Sequence, residues 1–118
     1  MSVNLLDLIP VRNIGSEELS DGRFILLKPK FKHKFFVKHI LPRLKSRYYR
    51  IKLDDFGSFV WKHCDGKNTV GQIGNLLSEK FKQEVDPVYD RLAVFMQSLA
   101  RYQFILYNNY EAISGASK

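Results

Sequence analysis

The residues with the most chemical potential stand in one run, His63-Cys64-Asp65, inside the stretch FGSFVWKHCDGKNTVGQI from Phe56 to Ile73. That stretch also holds the only Trp and the only Cys of the chain. A thiol beside an imidazole and a carboxylate supplies the groups of a cysteine nucleophile and its base. Adjacency argues against that use, because neighbours in a helix point about 100° apart and do not meet side by side. Cys64 also shares a helical face with Phe56, Phe59 and Val60, where a thiol behaves as a small apolar group. A zinc site needs about four ligands, and one Cys with three scattered histidines (His33, His39, His63) offers no ligand spacing. A glycine-rich phosphate loop and a serine elbow are both missing. The sequence therefore predicts a noncatalytic protein with no metal and no cofactor.

The elements that must position these residues begin with one domain spanning residues 1–118, since 45% apolar and 14% aromatic residues suffice for a core. No run of about 18 apolar residues predicts a membrane span, and the N-terminal MSVNLLDLIPVRN lacks the pattern of a secretory signal. The expected location is cytoplasmic, which the single Cys fits.

Asp54 is placed to cap a helix carrying Phe56, Phe59, Val60 and Cys64, with Gly66 as its left-handed terminator. Thr69 and Gln72 fit a capping box ahead of the stripe Val70, Ile73, Leu76, Leu77 and Phe81. Gly71 and Gly74 in that helix predict close packing against another element. Asp86-Pro87 reads as an N-cap and first-residue pair for a third helix lined inward by Val88, Leu92, Phe95, Met96, Leu99 and Tyr102. Before the helices, Leu8–Ile14 and Arg23–Lys28 predict a hairpin with a turn at Asp21-Gly22, and Tyr48–Leu53 a third strand. Phe104–Tyr107 reads as a short last strand, and the tail 111–118 as frayed. The fold class is α+β: a three-stranded antiparallel sheet followed by three helices.

The net charge of +7 is concentrated. Residues 28–52 hold ten basic residues, Lys28, Lys30, Lys32, Lys34, Lys38, Arg43, Lys45, Arg47, Arg50 and Lys52, and no acidic one, leaving 9 basic against 12 acidic residues elsewhere. Within this patch Phe36–Leu41 fits a short amphipathic helix. Two readings compete with a merely solvated face. A winged helix bound to nucleic acid would read bases through its third helix, but the exposed positions there, Asp90, Arg91, Val94, Gln97, Ser98 and Arg101, are close to neutral. Interleaved lysines and apolar residues also suit a membrane surface, although the segment is short. The third strand's edge could pair with its copy in a homodimer.

On Leu53-Asp54, Phe56-Gly57, Trp61, Cys64-Asp65-Gly66, Thr69-Val70, Ile73 and Leu76-Leu77, the chain resembles the PqqD family. The likeness covers about residues 50–106, with a weaker match of DGRFILLKP to the family's hairpin. It implies a winged-helix-like fold and a noncatalytic role: binding the leader of a ribosomally made precursor peptide and presenting it to a modifying enzyme such as a radical SAM protein. The leader would add as a strand to the third strand, beside the third helix. Carried over, the peptide-binding residues are Tyr48, Tyr49, Arg50, Ile51, Lys52 and Leu53, with Arg91, Val94, Phe95 and Ser98 facing them. Arg50 and Lys52 would suit an acidic leader. The basic aromatic insert at about residues 31–47 departs from the family pattern.

Overall fold

Capping chemistry sets the helix boundaries in the computed structural model, which describes residues 3–30 and 47–111. Helix α1 (Asp55–His63) starts where the Asp54 carboxylate accepts the Gly57 N–H at 2.8 Å. Helix α2 (Val70–Phe81) opens on a complete capping box: Thr69 N–H donates to Gln72 Oε1 at 2.7 Å and Gln72 N–H to Thr69 Oγ1 at 3.1 Å. Helix α3 (Val88–Arg101) follows a 3-10 turn at Lys82–Val85. Its N-cap is Pro87 rather than the expected Asp86, because the first helical bond runs from Arg91 N–H to Pro87 O, while Asp86 ends the preceding turn with its N–H on Gln83 O.

The strands depart from expectation. Strand β1 (Pro10–Arg12) does not pair with Arg23–Lys28 but with β5 (Ile105–Tyr107), Pro10 opposite Tyr107. The hairpin partner of β3 (Phe24–Pro29) is β2 (Gly15–Glu18), within a stretch that reads as loop. The Asp21-Gly22 turn is in place, with Leu19 N–H donating to Arg23 O at 2.7 Å and Gly22 at φ 89°. A short turn pairs the residues nearest it, so Ser16 and Glu17 enter the ladder despite weak strand propensity. Strand β4 (Tyr48–Lys52) completes the sheet in the order β2-β3-β4, with Leu26 opposite Ile51. The fold is thus α+β, two antiparallel sheets and three α-helices among the described residues.

The core lies between sheet and helices. Leu26, Trp61, Ile73, Leu77, Leu92 and Met96 are fully buried there. Ser58 ties α1 to the sheet, its Oγ accepting the Phe24 N–H at 2.9 Å, and the Trp61 indole donates to Ser16 Oγ at 3.0 Å. Gly74 is close-packed as its position predicts: a Cβ there would meet the Tyr89 ring, with Cδ1 at 3.0 Å. Gly66 has the expected positive φ, 80°, but its N–H donates to Pro10 O, so it turns the chain onto β1 instead of closing α1. Cys64 lies one residue past the helix and is still fully buried. Tyr102 follows the last residue of α3 and is 58% exposed, against the expectation of an inward side chain. The candidate helix Phe36–Leu41 and the tail beyond Glu111 lie outside the described residues.

Candidate functional site

The run that looks reactive is divided among three structural tasks. Burial pushes the Cys64 thiol up to about 12, which keeps it protonated and a poor nucleophile. His63 Nδ1 lies 2.8 Å from Phe59 O and its ring stacks on Phe59 at 4.4 Å. Partial burial opposes ionisation of Asp65, but N–H bonds from Lys67 and Asn68, at 2.9 and 3.2 Å, outweigh it and hold the carboxyl below the usual range. Asp65 therefore shapes the turn into α2. Among the described residues no three His, Cys, Asp or Glu side chains gather as metal ligands.

The accessible site lies between β4 and α3. Bonds from Leu53 N–H to Phe24 O (2.9 Å) and from Lys30 N–H to Arg47 O (3.1 Å) set the phase of the β3-β4 ladder. Alternation then turns the backbone groups of Arg50 and Lys52 away from β3, toward the edge of the sheet. It also puts the side chains of Tyr49, Ile51 and Leu53 on the face toward α3 and those of Arg50 and Lys52 on the other. A cavity of about 350 Å³ opens on the first face, lined by Leu26, Lys28, Ile51, Leu53, Phe95, Ser98, Leu99, Tyr102 and Phe104. A second of about 520 Å³, lined by Phe56, Asp90, Arg91, Val94, Phe95 and Ser98, continues it. Phe95 and Ser98 belong to both, so one groove follows α3 from Tyr102 to Arg91. At 1.5 Å per helical residue that is about 16 Å, the length of about five extended residues.

Cations stand at both ends. Lys28 Nζ lies 5.9 Å from the Tyr49 ring and 6.0 Å from the Tyr102 ring, and Lys30 Nζ is 5.3 Å from Tyr49. The Arg91 guanidinium sits 4.6 Å over Phe56 and donates to Glu84 O at 3.0 Å. On the outer face Arg50 pairs with Glu17 at 2.7 Å, a hydrogen bond that lowers the Glu17 pKa and raises that of Arg50.

Of the residues singled out from sequence, Ile51, Leu53, Arg91, Val94, Phe95 and Ser98 line the groove, and Tyr49 stands at its mouth. Tyr48, Arg50 and Lys52 alternate to the outer face. From the basic patch, Lys28 and Lys30 reach the groove mouth, and Arg47 is exposed ahead of β4. Lys32, Lys34, Lys38, Arg43 and Lys45 lie outside the described residues. Leu26, Phe56, Leu99, Tyr102 and Phe104 were not expected at the site. Leu99 and Tyr102 follow Phe95 at helical spacing, a signal that could have found them, whereas Leu26 and Phe104 depend on strand register and chain path.

Fold and groove define a small α+β domain whose accessible surface is suited to binding. The chain belongs to the PqqD family: the family model for coenzyme PQQ synthesis protein D matches residues 39–105, more than half of it. The family consists of accessory domains, and membership supports a peptide-binding accessory role related to PQQ synthesis at that general level. Compared with curated proteins and with solved structures, the chain finds no match. No helix among the described residues is long and apolar enough to cross a membrane.

Proposed function

We propose that the chain is a noncatalytic adaptor with a winged-helix-like fold that binds the leader of a ribosomally made precursor peptide and presents it to a modifying enzyme, such as a radical SAM protein. The observation that carries this reading is strand β4, at the edge of its sheet among the described residues, standing beside an apolar groove. An added peptide strand takes the outward backbone groups of Arg50 and Lys52, one N–H and one C=O from each. Each such bond is worth about 0.5–1.5 kcal/mol net. Every second peptide side chain then enters the groove, where burying one Leu-sized group adds about 1.5–3 kcal/mol. The backbone bonds give affinity for any strand, and the pocket selects among side chains.

The test is an NMR titration of the labelled chain with leader segments of precursor peptides encoded beside its gene. Shifts at Tyr48–Leu53 and along Arg91–Tyr102, little affected by salt, are the expected result. Shifts with DNA or RNA at Lys28–Lys45 that fade steeply with ionic strength, and none with any leader, would overturn it.

A further inference from the structure

The groove is apolar along its floor and cationic at one mouth. Lys28 lines the pocket, and the two tyrosine faces beside it attract its ammonium while leaving N–H donors free for another group. Lys30 adds a second cation over Tyr49. Among the described residues neither lysine has a carboxylate within ion-pairing distance, and residues 28–52 contain no Asp or Glu. The other cations near the groove differ. Arg50 is held by Glu17 on the outer face, and Arg91 donates to Glu84 O and stands next to Asp90. Lys28 and its wall of β3 lie outside residues 39–105, the span matched by the family model, whereas Tyr49 and Tyr102 lie within it.

We propose that the occupant is a peptide strand with an apolar side chain for the pocket and a carboxylate two residues along on the same face, paired with Lys28. The inference rests on the reading of β4 as the accepting strand. Side chains at i and i+2 of a strand share a face about 6.8 Å apart, the same step that separates Ile51 from Tyr49. With the apolar group seated over Ile51 and Phe95, the next side chain on that face stands over Tyr49, beside the Lys28 ammonium. The added strand runs about 10 Å from β3, two strand spacings away, and the lysine stem and an Asp or Glu side chain lean toward each other across β4. Antiparallel addition, the slightly more stable ladder, puts the carboxylate C-terminal to the apolar residue.

The probes are synthetic capped peptides of about nine residues, Thr and Ser around a central Leu, long enough to cover the groove. One carries Asp two residues after the Leu and one two residues before it; a matched pair carries Lys instead. Titrated into the labelled full chain, all should shift the amides of Arg50–Leu53. One Asp peptide should bind about tenfold or more tightly than its Lys counterpart, a coupling within the range for close charge pairs. Lys28→Met, which keeps an apolar stem, should bring the ratio near one, and Lys28→Glu should invert it. The preferred Asp position reports the strand direction. Equal affinities, or a preference that survives Lys28→Met, with shifts still on β4, would overturn the carboxylate assignment and leave strand addition standing. No shifts on β4 with any peptide would overturn both.

Discussion

The segment Phe56–Ile73 and the groove between β4 and α3 adjoin each other and invert what their residue types suggest. The first has a thiol, an imidazole, a carboxylate and an indole in close succession, and the structure spends them on burial, a ring stack, a turn and a hydrogen bond to Ser16. The second is built from Ile51, Leu53, Phe95, Leu99 and one serine, and it is the part a partner can enter. Reactive chemistry needs access and mutual geometry as well as the right groups. Binding by strand addition needs an edge and a pocket, which ordinary residues supply.

Substitutions in the two regions should therefore fail in different ways, and the largest effect belongs to the scaffold. Trp61→Ala removes a fully buried indole and its bond to Ser16, and should cost about 3–5 kcal/mol in urea denaturation. A cost below about 1 kcal/mol would mean that the segment is not the framework described here. Ser98→Trp does the opposite. Ser98 is exposed and borders both cavities, so an indole there fills the groove from outside the core. Leader affinity should fall tenfold or more while stability stays within about 0.5 kcal/mol. Unchanged affinity in that variant would remove the groove from the binding site.

Much of the scaffold was legible in the sequence because its signals are local. The Asp54 cap and the Thr69–Gln72 box lie within three residues of their partners, and the helix faces follow from spacing. The sheet was less legible because its partners are remote or weakly marked. β1 finds β5 across most of the chain, and β2 is Gly-Ser-Glu-Glu, whose place comes from the turn beside it and from the Trp61 bond to Ser16. The site inherits both limits. Phe95, Ser98 and Arg91 share one helix, whose spacing alone brings them to one groove, whereas the position of Lys28 opposite Tyr49 needs the register of β3 against β4. Arg50 and Lys52 were assigned to the strand correctly, but the face they occupy depends on that register too.

The buried thiol supplies a pH test of the scaffold. Cys64 rises from its ordinary 9.0 to about 12 through burial, and Tyr107 from 10.0 to about 12, also chiefly through burial. Both groups are neutral when protonated, so the unfolded chain loses these protons at lower pH than the folded one. Their contribution is fully present below about pH 9 and lost as pH rises toward 12. Denaturation from about pH 8 to about pH 11 should show stability falling by up to about 1.4 kcal/mol per unit for Cys64. Cys64→Ala should flatten that slope, and an unchanged slope would place the titration elsewhere.

The smallest effect should come from Arg50, which on charge alone looks like the natural contact for an acidic leader. Its guanidinium lies 2.7 Å from Glu17, with about half of each side chain exposed, so water and salt screen the pair. Arg50→Ala leaves no buried group unpaired and keeps the backbone N–H and C=O that an added strand uses. Stability should not change measurably in urea denaturation, and preference for an acidic peptide should persist, because the side chain points away from the groove. If Arg50→Ala instead abolishes that preference while Lys28→Met leaves it intact, then the leader's carboxylate lies on the outer face. The groove would then select only the apolar side chain, and charge would be read on the opposite side of β4.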